Sequence, residues 1–202
     1  ISTFSFYANK HITTGEGGMV LTSDEELAEK CKYYRNLCFK AESRFVHDDL
    51  GWNYRMSNIQ AAVGLAQLEC IDEFILKKRD IGKKYQDRLK NLSEIFQLPI
   101  EKNNFAENIY WVFSLVLKKG LNFSLKDITN YLSSHGIGNR PFFWPMHLQP
   151  YLLKQDYFKN EKYPNSEYIA KHGFYIPSGL GINDDDINFV CDSIEEAVNE
   201  LS

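Results

Sequence analysis

Hydrophobic and polar positions change period several times along the chain. Residues 1–7 are a run of β-forming residues, and residues 8–14 are polar. Gly15-Glu16-Gly17-Gly18 follows, a turn signal at which side chains would obstruct the backbone. Residues 19–22 are short and apolar, so the pattern predicts strand, loop, strand with a tight glycine corner. Ser23 with Glu26 three positions on has capping-box spacing and predicts a helix from 24 to about 36. Residues 39–53 show no sustained period and predict an ordered loop. From 57 to about 92 the pattern is helical almost throughout. Ile59, Val63, Ala66, Cys70 and Phe74 fall on one stripe, with Ile71 and Ile75 beside it. One helix of that length extends about 50 Å. It predicts a connector between two domains, kinked near Gly82.

The pattern changes character at 93–107, and residues 109–117 (Tyr110, Trp111, Val112, Phe113 and Val116 among them) predict a strand. Ser124 caps a helix expected over 124–135, which Gly136 ends. Residues 137–144 predict a strand or extended loop leading into Arg140-Pro141-Phe142-Phe143-Trp144-Pro145-Met146-His147. A short helix is expected over 165–172 and extended chain over 174–177. Ile187, Val190, Ile194, Ala197, Val198 and Leu201 make 183–201 an amphipathic closing helix. No internal repeat or low-complexity stretch is present. The fold class is therefore α/β, with a division at about 85–95 that separates residues 1–90 from residues 91–202.

Composition narrows the partners. Of 202 residues, 44% are hydrophobic and 25% charged, enough to build a core. Net charge is −4 with basic residues scattered among acidic ones, which gives no footprint for a nucleic-acid partner. No apolar run approaches the roughly 20 residues that span a bilayer, and no signal peptide is visible. Cys31, Cys38, Cys70 and Cys191 form no C-x-x-C pair and are read as free thiols in a reducing cytoplasm. His11, His47, His135 and His172 have no spacing that makes a metal site. The chain starts without Met, directly in a strand-like run, and the expectation is that something upstream is missing.

The densest chemistry lies in Ser5-Phe6-Tyr7-Ala8-Asn9-Lys10-His11-Ile12-Thr13-Thr14-Gly15-Glu16-Gly17-Gly18. A lone loop lysine is ordinarily a solvated group, and a glycine cluster is ordinarily a hairpin corner. Their joint spacing changes that reading: Ser-Phe, a spacer, Lys10, then Thr14-Gly15-Glu16-Gly17-Gly18. A second block is Leu50-Gly51-Trp52-Asn53-Tyr54-Arg55-Met56-Ser57 with Ile59-Gln60-Ala61-Ala62 and Gly64-Leu65-Ala66-Gln67-Leu68. A third runs from Arg140 to His147-Leu148-Gln149-Pro150. The three blocks, in this order and over essentially the whole chain, resemble the DegT/DnrJ/EryC1/StrS family of pyridoxal-phosphate-dependent nucleotide-sugar aminotransferases. Arg-Pro-Phe-Phe-Trp-Pro-Met-His is closest in wording to the branch that makes perosamine on a guanosine-diphosphate carrier.

The resemblance implies the C-terminal part of an aspartate-aminotransferase-like protein of fold type I. Residues 1–90 would end the large cofactor domain in a connector helix, and residues 91–202 would form the small domain. It implies pyridoxal 5'-phosphate as cofactor, Lys10 as the amine that forms its Schiff base and then moves a proton, and Ser5 as a phosphate ligand. Asn53 would reach the phosphate of the neighbouring subunit, making the partner a second copy in a homodimer with shared active sites. Arg140, Phe142 and His147 would bind a nucleotide-linked 4-keto-6-deoxy sugar, with glutamate as amino donor. Each has a plainer alternative: a strand-end hydroxyl for Ser5, a turn asparagine for Asn53, core packing for the aromatic rings. Gly15, Gly17 and Gly18 are expected to shape the corner, because no phosphate-loop Lys-Ser/Thr pair follows.

Lys10 argues for amino transfer over the dehydration run by relatives with histidine at that point. The carboxylate that pairs with the cofactor's ring nitrogen precedes the lysine in this family, so the 202 residues alone are expected to be catalytically weak. The rivals are a sugar dehydratase of the same family and a non-catalytic, partner-binding fragment.

Overall fold

A computed structural model describes residues 1–202, which pack as two units, Ile1–Ile75 and Leu76–Ser202. In the first unit the β-forming run becomes β1 (Ser2–Ser5), paired antiparallel with β2 (Gly18–Leu21) in a register from Ser2↔Leu21 to Ser5↔Gly18. Helix α1 (Glu25–Arg35) follows, and its cap is Asp24 in place of the expected Ser23. The Asp24 carboxylate accepts the Leu27 N–H at 3.0 Å, and Glu25 and Glu26 then lie in the first turn, where acidic groups suit the helix dipole. Residues 39–53 hold no helix or strand beyond the isolated bridge Asn36↔Asn53.

The single helix expected over 57–92 is two helices, α2 (Asn58–Leu68) and α3 (Ile71–Leu89), with a 3₁₀ turn at Lys90–Leu92. The break falls at Glu69–Cys70, where the Cys70 N–H tightens onto Gln67 O at 3.1 Å. Helix α3 continues without a break through Gly82. A Cβ there would lie 2.3 Å from the Tyr110 ring, so this glycine admits a ring against an unbroken helix. The apolar stripe of α2 also faces outward in this chain: Ile59 is 80% exposed and Val63 47%.

The boundary between the units lies inside α3, ahead of the division expected near 90. The cause is α3 itself, which buries Lys78, Ile81, Gly82, Tyr85 and Leu89 along one face at helical spacing. The second unit continues with β3 (Phe96–Gln97), β4 (Phe113–Leu117), α4 (Leu125–Ser134), β5 (Arg140–Pro141), α5 (Pro150–Lys154), α6 (Pro164–His172), β6 (Gly173–Ile176) and α7 (Asp184–Leu201). Its sheet runs β3-β4-β6-β5, every pair antiparallel. The strand expected over 109–117 begins only at Phe113, because Tyr110 is left-handed (φ 46°) and turns its ring under Gly82. Helices α4 and α7 open with capping boxes, Ser124 with Asp127 and Asn183 with Asp186. The core joins Phe113, Leu115, Phe174 and Ile176 of the sheet to Ile128 and Leu132 of α4 and to Ile187, Cys191 and Ile194 of α7. All four cysteines are free, and burial pushes the Cys191 thiol up to about 12, which leaves it unreactive. No helix is long and apolar enough to cross a membrane.

Candidate active site

The loop between β1 and β2 carries Lys10 and is closed by its own hydrogen bonds. The Phe6 N–H donates to Gly17 O at 2.9 Å. The Phe6 carbonyl accepts from the Thr14 N–H at 3.0 Å and from the Thr13 hydroxyl at 3.1 Å. The Thr14 hydroxyl donates to Glu16 O at 2.8 Å, and Thr14 is among the few buried residues of this unit. Within that closure the Lys10 N–H donates to Tyr7 O at 3.0 Å, forming a turn, and Lys10 is half-buried. Ser5 ends β1, is exposed, and accepts the Tyr7 N–H through its hydroxyl at 3.3 Å. The amine-bearing residue and the hydroxyl therefore belong to one short, cross-braced hairpin.

The glycines shape that hairpin by close approach. A Cβ on Gly17 would meet the Thr14 hydroxyl at 2.3 Å, and one on Gly18 would meet Phe4 O at 2.8 Å. Gly15 adopts φ 77°, a conformation that costs other residues energy. Two glutamines given no role by sequence reasoning also touch the loop: Gln67 bonds both backbone groups of Thr13, and Gln60 donates to Glu16 O. Their seven-residue spacing, which puts both on one helix face, was the signal that went unused.

Asn53 lies in the same unit on a backbone fastened to the end of α1. Leu37 N–H donates to Trp52 O at 3.0 Å, Trp52 N–H to Tyr34 O at 2.8 Å, and Tyr54 N–H to Arg35 O at 3.0 Å. Arg55 hydrogen-bonds the Asn36 side chain, and Gly51 sits where a Cβ would strike Cys38. Asn53 itself is exposed on this braced segment.

The substrate candidates occupy one stretch of the second unit. Arg140 lies opposite Tyr175 across β5 and β6, is exposed, and donates to Asn139 O at 3.0 Å. Phe142 is half-buried beside Gly173, to whose carbonyl it donates at 2.9 Å. The neighbouring Phe143 stacks on Trp111 and Tyr175 at 5.7 and 6.2 Å, so part of this aromatic cluster is a row of stacked rings outside the core. His147 differs from both candidates. It is 6% exposed, and its Nε2 lies 3.1 Å from Glu167 Oε1. That contact holds the Glu167 carboxyl below its usual range, and the same oxygen accepts the Tyr163 N–H at 3.1 Å. One of its two ring nitrogens is thus engaged by Glu167 of α6.

Residues 1–195 match the DegT/DnrJ/EryC1/StrS aminotransferase family. The chain is 37% identical over 196 residues to GDP-perosamine synthase of Escherichia coli O157:H7, covering 97% of this chain and 51% of that protein. It is 35% identical to GDP-perosamine synthase of Vibrio cholerae, covering 98% of this chain and 53% of the relative. It therefore spans about half the length of the curated relatives it matches. Among solved structures, Helicobacter pylori PseC, an aminotransferase involved in the biosynthesis of pseudoaminic acid, superposes with a TM-score of 0.84 at 26% identity. That match covers 98% of this chain and 53% of PseC.

Proposed function

Because this chain belongs to the DegT/DnrJ/EryC1/StrS aminotransferase family, we propose that it is part of an enzyme that moves an amino group from glutamate to a nucleotide-linked 4-keto-6-deoxy sugar, as in perosamine synthesis. The observation that carries this reading is the closed hairpin, which holds the half-buried residue Lys10 on the loop that leaves β1 at the exposed Ser5. That donor set fits pyridoxal 5'-phosphate: an amine that can condense with an aldehyde and a neutral hydroxyl suited to a phosphate dianion. The cofactor, when bound, supplies an electron sink for amino-group exchange.

The chain's own residues divide the remaining work. Lys10 Nζ would hold the cofactor and, when free, would serve as the base that moves a proton at the substrate carbon. Ser5 anchors the phosphate, and the braced, exposed Asn53 reaches the phosphate of a second copy, so a homodimer shares its two sites. Arg140 offers a planar fork to the substrate's phosphate or sugar oxygens, and Phe142 bounds the sugar. His147, held by Glu167, fixes the segment that carries them, and any contact it makes with the sugar runs through its other ring nitrogen. Residues 1 to about 75 belong to the cofactor domain, and the smaller one begins within α3. The four free thiols favour a reducing compartment, the cytoplasm.

The test is transfer of ¹⁵N from labelled glutamate to the keto sugar by the full-length protein with cofactor added. Transfer is expected in the wild type and a drop of about a thousandfold or more in Lys10→Ala. Consumption of the sugar without incorporation of label would replace amino transfer with the dehydration reading. No turnover and no cofactor binding would favour a partner-binding role.

A further inference from the structure

Helix α2 turns Gln60, Gly64 and Gln67 toward the lysine loop, at the i, i+4, i+7 spacing of one helix face. Gln67 Oε1 accepts the Thr13 N–H at 3.1 Å while its Nε2 donates to Thr13 O at 2.7 Å. A single side-chain amide therefore satisfies both backbone groups of one loop residue, as a neighbouring strand would. Gln60 Nε2 donates to Glu16 O at 3.1 Å. Between them Gly64 comes so close that a Cβ would lie 2.8 Å from Thr14 Cγ2. Thr13 and Thr14 are the residues that bond the Phe6 carbonyl and so close the loop around Lys10.

We infer that Gln67 is a positioning residue for Lys10, clasping Thr13 through both backbone groups and so fixing the foot of the loop from which the amine reaches. The inference rests on Lys10 being the amine that holds the cofactor. That amine has to occupy two places in turn, the attachment point and the proton-transfer position, and a displacement of about 1 Å can cost roughly a hundredfold in rate. A glutamine suits the task because it donates and accepts at once. A carboxylate or an ammonium offers only one of the two and brings a charge near the amine. Gln60 reads the same loop but also builds the α2 capping box with Ser57, so its substitution mixes two effects. Gln67 is the cleaner probe.

Three variants of the full-length protein test the clasp: Gln67→Leu removes both bonds, Gln67→Glu keeps the acceptor for the Thr13 N–H, and Gly64→Ala pushes Thr14 without removing a bond. Without cofactor, amide hydrogen exchange at Thr13 is expected to speed up about tenfold in Gln67→Leu and by less in Gln67→Glu. With cofactor, kcat is expected to fall about 10- to 100-fold in Gln67→Leu and Gly64→Ala. The glutamate KM stays within about twofold, and the pH midpoint of the bound cofactor's visible absorbance moves. Unchanged exchange in Gln67→Leu overturns the clasp. Faster exchange with kcat and the pH midpoint unchanged overturns its part in positioning Lys10, as does a loss of kcat that merely tracks a loss of thermal stability. Faster exchange in a protein whose wild type attaches no cofactor at Lys10 overturns the reading of Lys10 instead.

Discussion

The two units of this chain are held together by different physics. In Ile1–Ile75 only Thr14 and Cys38 are buried, and order comes from glycine corners and hydrogen bonds such as Gln67 to Thr13. In Leu76–Ser202 an unbroken apolar core runs from Ile81 to Val198. Side chains with chemistry to offer in the first unit, Ser5, Lys10 and Asn53, lie on backbone braced by hydrogen bonds. Those of the second, Arg140 and Phe142, sit at the edge of a sheet whose other strands are packed solid. Apolar packing tolerates few changes of volume, whereas a hydrogen-bonded loop can be retuned one bond at a time.

The comparison breaks most visibly under truncation. Phe113→Ala removes a fully buried ring and is expected to cost about 3–5 kcal/mol in urea unfolding of this chain. Ile59→Ser, at a residue 80% exposed, is expected to stay within about 0.5 kcal/mol. Similar losses from both would mean that the first unit carries an apolar core of its own.

Lys78 sharpens the contrast, because it is a charge inside the packed unit. It is 4% exposed and donates to Trp111 O, Ser178 O and the Ser178 hydroxyl. Burial lowers its pKa from 10.5 to about 8. Below pH 8 the amine is charged in the folded and unfolded chain alike, and the burial penalty is felt in full. Between about 8 and 10.5 the unfolded chain binds more protons, so stability rises with pH, by at most about 3 kcal/mol. Unfolding at pH 7.5 and pH 10 should show the wild type gaining on Lys78→Met. A pH-independent difference would show that the amine keeps its charge through this range. A smaller effect than that of Lys78 belongs to the first unit: Ser5→Ala is expected to weaken cofactor binding about tenfold, one charged hydrogen bond's worth, with no change in urea midpoint. Unchanged affinity would remove Ser5 from the phosphate site.

These differences also account for what was legible in the sequence. Helices α4 and α7 could be read almost to the residue, because Ser124 with Asp127 and Asn183 with Asp186 mark their starts and apolar periodicity runs through them. The lysine hairpin was legible as a motif, and its glycines do close the corner by tight approach. The break at Glu69–Cys70 was not, since neither residue is a breaker and helical periodicity continues on both sides. Tyr110 looked like strand because its side chain favours strands, while its left-handed backbone answers to a glycine 28 positions away in sequence, Gly82. The apolar stripe of α2 marked a helix without telling which face meets the loop, and in this chain the glutamine face does. The burial of His147 and its bond to Glu167 were not legible, because nothing local announces a partner 20 residues on.

The account depends on a covalent bond between Lys10 and the cofactor. Full-length protein incubated with pyridoxal 5'-phosphate, reduced with borohydride, digested and mapped by mass spectrometry tests it directly. The expected result is one phosphopyridoxyl group on the peptide that contains Lys10, absent from Lys10→Ala. A label spread over surface lysines, or one that persists in Lys10→Ala, would contradict it.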